Sequence, residues 1–334
     1  MMPRRIINRL IIALTVVVAL MGGGRKAMAQ NDPQFVQYWA VPTFYNPAYL
    51  GQKDFVRIRL GANLQWLGIK RAPQSYIVTA DMPVKLGKKQ RMGVGVTGMM
   101  ESIGLYGNTW VSAQASYQFR VLKGVLSVGI QPAYYNTKFK GSEVYIPEGD
   151  DYHQPDDESL PKEDVAGQAF DLSAGISYTH KYFSVGISAL HILEPKIELS
   201  EDNASDTETT QFSATVPRQM YFMADGNIPI KNSLFSLQPS LLVRTDFSNF
   251  SAEVTLRSTF KQFISFGLGY RWKDALSAMI GAEFKNFFLG YAYSYPLSPL
   301  NRASSGSHEI VAGYMVKLNF GDKNKNKHRS IRIM

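Results

Sequence analysis

Residues 309–320 read EIVAGYMVKLNF, and their character alternates with a period of two along the segment. One face is apolar throughout, and the other is mixed, with Glu309 and Gly313 among its members. A period of two is that of a β-strand, because successive side chains of a strand point to opposite faces. Residues 251–260 and 170–179 alternate in the same way between apolar residues and Ser, Thr, Gly or single charges. The pattern predicts strands that are apolar on one face and polar or glycine-lined on the other.

Fourteen segments of this kind follow one another along the chain. They lie near residues 55–63, 74–82, 91–100, 108–120, 124–135, 167–179, 181–190, 218–229, 233–244, 250–260, 262–271, 274–285, 286–295 and 307–320. A soluble sandwich would alternate too, but an even strand number is expected of a single-chain bacterial outer-membrane barrel. A sheet in lipid must close on itself, because an open edge would leave backbone groups unpaired. The predicted fold is therefore all-β, a transmembrane antiparallel up-and-down β-barrel of about 14 strands.

The connections between these strands differ in length at the two ends of the predicted barrel. Every second connection is short, at residues 121–123, 180–181, 230–232, 261 and 285–286, although one on this side, 83–90, is longer than the rest. The other end carries the long connections 136–166, 191–217 and 296–306, the pattern of short periplasmic turns and long outer loops. Residues 136–166 and 191–217 hold 15 of the 27 acidic residues. Two interpretations stay open for them, a cation site at the cell surface or solvated, self-repelling loops.

The net charge of +9 is concentrated at the two ends of the chain. Residues 1–29 carry +5 and residues 321–334 carry +4, so that residues 30–320 are neutral. A nucleic-acid-binding domain would be basic in its folded part, so no nucleic-acid partner is predicted. The absence of Cys excludes disulfides, thiolate metal sites and Cys nucleophiles. The tail 321–334 is expected to be solvated and to lie on the periplasmic side of the barrel.

The N-terminus has the organisation of an export signal. Arg4, Arg5 and Arg9 precede the apolar run 10–21, which has the length of a signal-peptide core and is too short for a spanning helix. Small residues in Ala27-Met28-Ala29 predict cleavage before Gln30. The alternative is a short membrane anchor. Residues 1–29 are therefore expected to be a cleaved signal peptide.

Two stretches resemble catalytic or cofactor motifs but lack the required context. Residues 93–98 read GVGVTG, yet a dinucleotide motif needs a following helix, whereas this one lies inside a predicted strand. A glycine-rich strand that lets another segment approach closely is the better interpretation. His308-Glu309 resembles the start of a zincin motif, but Ala312 stands where the second His is required. No catalytic, cofactor-binding or metal site is predicted.

The residues after the predicted cleavage site carry a family resemblance. Residues 30–38 read QNDPQFVQY and residues 45–51 read YNPAYLG. They resemble the opening signature of the PorP/SprF family of the Bacteroidota type IX secretion system, D-P-x-F-S-Q-Y followed by N-P-A-x-x-G. Weaker matches follow in the family's order over residues 30–320, at Gln65-Trp66, 267–271 (GLGYR), 290–295 (GYAYSY) and 308–310 (HEI).

This resemblance implies a non-enzymatic outer-membrane component of the type IX secretion system. Members support the secretion or surface attachment of proteins that bear a type IX C-terminal signal, including gliding adhesins. The implied partners are outer-membrane lipid, a periplasmic lipoprotein ring, other secretion components and the signal-bearing cargo. Two alternatives stay open from the residues alone: a channel for hydrophobic or small polar solutes, and a surface hydrolase.

Residues 30–53 differ from the barrel strands, because three prolines oppose a hydrogen-bonded ladder. The lumen of a fourteen-stranded barrel is too wide for wall side chains alone to fill. We therefore expect this aromatic segment to fold into the lumen or against its periplasmic mouth, with a simple periplasmic tether as the alternative. The domains are then residues 1–29, 30–53, the barrel 54–320 and the tail 321–334. The candidate plug or partner-binding residues are Asp32, Pro33, Phe35, Gln37, Tyr38, Asn46, Pro47, Gly51, Gln65 and Trp66.

Overall fold

Antiparallel β-strands account for most of the chain. The computed structural model describes residues 32–86, 90–144, 161, 163–200, 212–230 and 233–318. Within these residues the strands are β1 (Phe55–Leu64), β2 (Gln74–Leu86), β3 (Gln90–Ile103), β4 (Tyr106–Val121), β5 (Gly124–Lys140), β6 (Asp164–Thr179), β7 (Phe183–Leu190), β8 (Lys196–Leu199), β9 (Phe212–Thr215), β10 (Gln219–Gly226), β11 (Ile228–Pro229), β12 (Phe235–Thr245), β13 (Phe250–Phe260), β14 (Ile264–Arg271), β15 (Ala275–Phe284), β16 (Phe287–Pro296) and β17 (Ser307–Lys317).

Fourteen long strands close into a single barrel. Each pairs with its neighbours in antiparallel fashion, and β1 completes the ring by pairing with β17, from Phe55↔Lys317 to Leu64↔His308. On the other side of the ring, β10 pairs with both β7 and β12. The closed ring leaves no sheet edge, as a sheet in lipid requires. The predicted fold class and strand number are confirmed.

The two faces of the wall have the expected character. Along β17, Ile310 and Val316 are exposed on the outside, whereas Glu309 and Val311 are buried on the inside. An apolar outer face matches the lipid, and polar side chains are acceptable inside because the lumen offers them partners. Among the described residues, no helix has the length and the apolar composition needed to span a membrane.

The structure differs from the sequence-based expectation in three connections. The predicted connection 83–90 is shorter than expected, since β2 extends to Leu86 and β3 begins at Gln90. β5 and β6 extend beyond the predicted strands into the predicted loop 136–166. Their residues still alternate there between buried and exposed positions, but the exposed positions no longer need to be apolar, so the apolar pattern does not reveal this part of the strands. The predicted loop 191–217 contains the hairpin β8–β9, whose Ile197 and Leu199 are buried. The predicted signal peptide, the tail 321–334 and much of both acidic loops lie outside the described residues.

The barrel has two distinct ends. We call the end with the connections 141–163, 191–218 and 297–306 the long-loop end, and the opposite end the short-turn end. The interior holds residues 32–53, which we call the luminal segment and which form three single turns, Tyr38–Ala40, Pro42–Tyr45 and Pro47–Tyr49. Pro42 and Pro47 each stand at the first position of a turn, where the missing N–H costs nothing.

Candidate functional site

The luminal segment is held by side chains from almost the whole circumference of the barrel. It exchanges hydrogen bonds with residues of β1, β2, β4, β6, β7, β10, β12, β13 and β17. A segment that is contacted from all sides of a closed wall lies within the lumen. It runs from Asp32 near the long-loop end to Gly51 near the short-turn end, because these residues contact His191 and Asp81 respectively.

The start of the luminal segment is held by a buried charge cluster. The Asp32 carboxylate lies 3.0 Å from Nε2 of His191 and accepts a hydrogen bond from the Tyr221 hydroxyl at 3.0 Å. Nδ1 of His191 lies 2.5 Å from the Asp171 carboxylate, so the imidazole stands between two carboxylates. Arg244 donates to the backbone carbonyl of Asp32 at 2.9 Å. We call Asp32, His191, Asp171 and Tyr221 the Asp32 cluster.

The electrostatics of the Asp32 cluster favour an imidazolium between two carboxylates. Burial by itself lowers the pKa of His191, but the charge of Asp32 and the hydrogen bonds that the imidazolium donates to both carboxylates outweigh this effect and raise the pKa to about 10. Burial likewise acts to raise the pKa of Asp32, and the neighbouring His191, Tyr221 and Arg244 lower it below its usual value. Both groups are therefore charged near neutral pH, and each stabilises the other.

Two carboxylates on the wall bind the next turn of the luminal segment. Glu309 accepts hydrogen bonds from the backbone N–H groups of Val36 at 2.6 Å and Gln37 at 2.9 Å. Glu253 accepts from the Gln34 amide at 3.4 Å and from Arg271 at 2.9 Å. The backbone N–H groups of a chain inside the barrel have no neighbouring strand to bond to, so these carboxylates supply the acceptors that the buried donors need.

Aromatic side chains fill the middle of the lumen. The Phe44 ring packs edge-to-face against Phe35, Tyr45 and the wall residue Trp110, at centroid distances of 6.2, 5.0 and 5.8 Å. The Tyr45 hydroxyl accepts the Phe35 N–H at 2.9 Å. Tyr38 and Pro33 are also buried. The burial of these rings, together with their edge-to-face geometry, makes this part of the lumen a packed core.

Asn46 and Pro47 sit in a slot of wall glycines. The Asn46 amide donates to the carbonyls of Ile176 at 3.3 Å and Ile187 at 3.2 Å, and its side-chain oxygen accepts the Ala48 N–H at 2.8 Å. A Cβ at Gly175 would overlap this amide. The backbone at Pro47 approaches Gly129 of β5 closely enough to exclude a side chain there too. Pro47 begins the turn Pro47–Tyr49 that follows.

Gly51 makes the turn that joins the luminal segment to the wall. Its φ of +58° is a conformation that favours glycine. Its N–H donates to Asp81 at 2.8 Å, and its carbonyl accepts from Arg91 at 3.0 Å. Arg57 binds both carboxylate oxygens of Asp81, at 2.9 Å each. The first two glycines of GVGVTG, Gly93 and Gly95, belong here, because a Cβ at either position would overlap Leu50.

Gln65 and Trp66 lie apart from Asn46, Pro47 and Gly51. They follow β1 at the long-loop end, where the Trp66 N–H donates to Ser307 at 3.1 Å. With Gln34 and Val36 they line a cavity of about 230 Å³. The ten candidate residues therefore do not form one site: Asp32 to Gln37 lie with Gln65 and Trp66 toward the long-loop end, and Asn46 to Gly51 lie toward the short-turn end. Tyr38 is buried in the core of the lumen. Their role in partner binding stays a prediction.

The sequence patterns do not single out the wall residues that hold the luminal segment. Glu309 lies in the family motif at 308–310 and Asp171 in the alternating strand 170–179, and neither pattern indicates what these carboxylates bind. A charge on the lumen-facing side of a strand was the available signal, because such a charge needs a partner inside. His191 carried no such signal, since it lies in a connection. Among the residues that the structure describes, no group of three or more His, Cys, Asp or Glu side chains is arranged to hold a metal ion.

A closed barrel with an apolar outer face and a lumen filled by its own N-terminal segment defines an outer-membrane β-barrel protein. A family model described as "Type IX secretion system membrane protein PorP/SprF" matches residues 27–314. The chain belongs to the PorP/SprF family, so the family resemblance and the location in the outer membrane are confirmed. The match includes both the luminal segment and the barrel.

Comparisons with other proteins add similarities of fold only. A Pseudomonas aeruginosa FadL homologue superposes with a TM-score of 0.48 at 10% identity, covering 86% of this chain and 94% of that chain. The Ralstonia pickettii toluene transporter TbuX gives 0.47 at 10% identity, covering 84% and 94%. The Acinetobacter baumannii outer membrane protein Omp33 gives 0.43 at 5% identity, covering 79% and 97%. No curated protein matches the chain.

Proposed function

We propose that this protein is a non-enzymatic outer-membrane component of the type IX secretion system. It supports the secretion or surface attachment of proteins that bear a type IX C-terminal signal, and it contacts the periplasmic part of the machinery. The observation that carries the proposal is the family match over residues 27–314. In the membrane, the long-loop end faces the cell exterior and the short-turn end faces the periplasm, in line with the usual orientation of bacterial barrels.

The arrangement of the lumen supports a role without catalysis. His191 is the described histidine with carboxylate neighbours, and both of its ring nitrogens are engaged by carboxylates. Neither nitrogen can then accept the proton of a nucleophile, which a histidine base must do. The channel alternative is not favoured, because the family match is to a secretion protein and the luminal segment occupies the interior of the barrel.

The first test is an affinity purification of the tagged protein from its native outer membrane in mild detergent, with mass spectrometry of the bound proteins. We expect a periplasmic lipoprotein of the secretion machinery and signal-bearing cargo to be recovered. Recovery of the barrel alone would contradict the proposed contacts. Truncation of residues 321–334 then tests whether the basic tail carries the periplasmic contact.

The second test asks whether the luminal segment takes part in secretion. A variant without residues 30–53 is compared with one without residues 321–334, and the two are matched for barrel content in the outer membrane. We expect loss of cargo from the culture medium and cell surface in the first variant. Normal cargo delivery by an assembled barrel without residues 30–53 would limit that segment to a structural role.

A further inference from the structure

A cavity of about 360 Å³ opens at the short-turn end of the barrel, beneath the luminal segment. This volume lies at the lower end of the range for small-ligand sites. Its lining holds five Lys or Arg side chains against two Asp or Glu side chains. Trp39 of the luminal segment and Phe288 of β16 provide aromatic surface in the same wall. The cavity therefore combines positive charge with aromatic surface.

Arg59 of β1 is the most unusual residue of this lining. The residue is only 8% exposed, and its Nε and Nη1 have no hydrogen-bond partner among the described residues. Nη2 reaches only the thioether sulfur of Met315, at 3.6 Å. The guanidinium carbon lies 5.1 Å from the centre of the Phe288 ring. Burying a guanidinium is costly unless acceptors satisfy its donors, so this group needs an acceptor.

Arg257 of β13 faces the same aromatic surface from the other side. Its guanidinium carbon lies 3.6 Å from the centre of a Trp39 ring, and its Nε has no hydrogen-bond partner among the residues described. Nη2 donates to Ser240 at 3.3 Å. The rings of Trp39 and Phe288 meet edge-to-face with centroids 5.7 Å apart. The two guanidinium groups thus lie on either side of one aromatic pair.

Other arginines of the lumen are hydrogen-bonded to carboxylates, unlike Arg59 and Arg257. Arg57 is bound by both oxygens of Asp81, and Arg271 is bound by Glu253 and Asp274. For Arg59 and Arg257, the part of the chain that the structure describes supplies no hydrogen-bonded carboxylate. Asp225 and Glu283 line the cavity as well, which disfavours a ligand with several negative charges.

We propose that this cavity is a binding site for a carboxylate carried by an aromatic or apolar group, such as the acidic residue or the chain end of a polypeptide. The carboxylate binds Arg59, whose planar guanidinium group matches two acceptor oxygens, and Arg257 adds positive charge on the other side of the aromatic pair. The apolar part packs on Trp39 and Phe288. The site goes beyond the secretion role, and its occupation would be felt by the luminal segment, because Trp39 belongs to that segment.

The test is isothermal titration of the purified full-length barrel in detergent with three probes. N-acetyl-phenylalanine offers a chain-end carboxylate, N-acetyl-aspartyl-phenylalanine amide offers a side-chain carboxylate, and N-acetyl-phenylalanine amide is neutral. We expect at least one carboxylate probe to bind about 10-fold more tightly than the neutral amide. The stronger of the two carboxylate probes identifies the source. Equal binding of all three probes, binding of none, or full competition by inorganic phosphate would overturn the proposal.

Variants locate the site. Arg59→Gln is expected to weaken the preferred probe about 10-fold, whereas the exposed Arg120→Gln control binds as the wild type does. If Arg59→Gln does not assemble, Gly313→Ala replaces it, because a Cβ at Gly313 would overlap the Arg59 guanidinium and displace it without removing its charge. Unchanged affinity in both variants would overturn the assignment. Because binding is measured on purified protein, a negative result leaves the secretion role untouched.

Discussion

At the scale of single residues, Asp32 holds one end of the described luminal segment in place. It bonds to His191 and Tyr221, which come from different parts of the wall, and its backbone carbonyl accepts from Arg244. The side chain and the carbonyl of Asp32 thereby join this residue to three positions more than 150 residues away. The charge pair is buried, so removal of one partner leaves the other uncompensated.

Asp32→Asn should therefore destabilise the barrel by about 3 kcal/mol, the lower end of the range for a broken buried ion pair, because Asp171 still faces His191. The measurement is the thermal unfolding midpoint in detergent. Asp54→Asn is the control, since the Asp54 side chain is half-exposed and its pair with Arg91 is worth less than about 1 kcal/mol. Equal midpoints for the two variants would contradict the role assigned to the Asp32 cluster.

The same cluster predicts how stability depends on pH. The pKa of His191 rises from 6.5 to about 10 on folding, so its contribution is complete below pH 6.5 and is lost as the pH rises toward 10. The pKa of Asp32 falls below 3.8, so its contribution is complete above pH 3.8 and is lost in stronger acid. The contribution is therefore greatest between these two limits.

We expect the thermal unfolding midpoint of the wild type to decrease as the pH is raised from about 5 to about 9. The decrease should be smaller in His191→Gln, which has no imidazole at this position to titrate. The difference between the two slopes is the readout. Parallel curves for the two proteins would show that His191 is not the titrating group. His180→Gln, at a short-turn connection, is the matched control and should follow the wild type.

At the scale of elements, the luminal segment fits the wall because small residues stand where its backbone approaches. Gly175 of β6 and Gly129 of β5 are the clearest examples, since a side chain at either position would overlap the segment at Asn46 or Pro47. Glycine in a strand weakens the strand by itself. Here that weakness is offset by the hydrogen bonds of Asn46 to both β6 and β7.

Gly175→Ala should displace Asn46 and cost about 1–3 kcal/mol, as overpacking of a well-packed interior does. The expected signature in hydrogen exchange with mass spectrometry is faster exchange of the amides of residues 42–53, with the barrel strands unchanged. Gly107→Ala is the matched control, because a Cβ at Gly107 meets no atom within 4 Å. Unchanged protection of residues 42–53 would mean that the slot does not position the segment.

At the scale of the whole molecule, the barrel wall and the luminal segment have different structural roles. The wall provides the lipid-facing surface, whereas the luminal segment provides much of the interior core, including Phe35, Tyr38, Phe44 and Tyr45. A barrel of this strand number without such a filling encloses an aqueous space. The segment thus separates the cavity at the long-loop end from the one at the short-turn end.

Deletion of residues 30–53 should therefore convert a silent barrel into a conducting one. The measurement is single-channel conductance in a planar lipid bilayer, with the 321–334 deletion as the control that keeps the lumen filled. We expect steps of conductance from the first variant and few or none from the control and the wild type. Equal conductance of wild type and deletion would show that the segment does not seal the lumen.

The sequence by itself determined the class of fold. Alternation of period two is a local property, and lipid allows only a closed sheet, so residues such as 309–320 predict a barrel without any knowledge of contacts. The family motifs at residues 30–38 and 45–51 likewise indicated the family that the match over residues 27–314 confirms. The hairpin β8–β9 was missed because strands of four residues give too few repeats to show a period.

Only the tertiary structure decided which inward charges meet which residues of the luminal segment. Asp32 and His191 are 159 residues apart in sequence. Whether they meet depends on the barrel's diameter, on the register of its strands and on the direction in which the segment crosses the lumen. None of these is encoded in a local pattern, because each is set by the closure of all fourteen strands together. For the same reason, the sequence could not predict that Arg59 and Arg257 lie against one aromatic pair at the short-turn end.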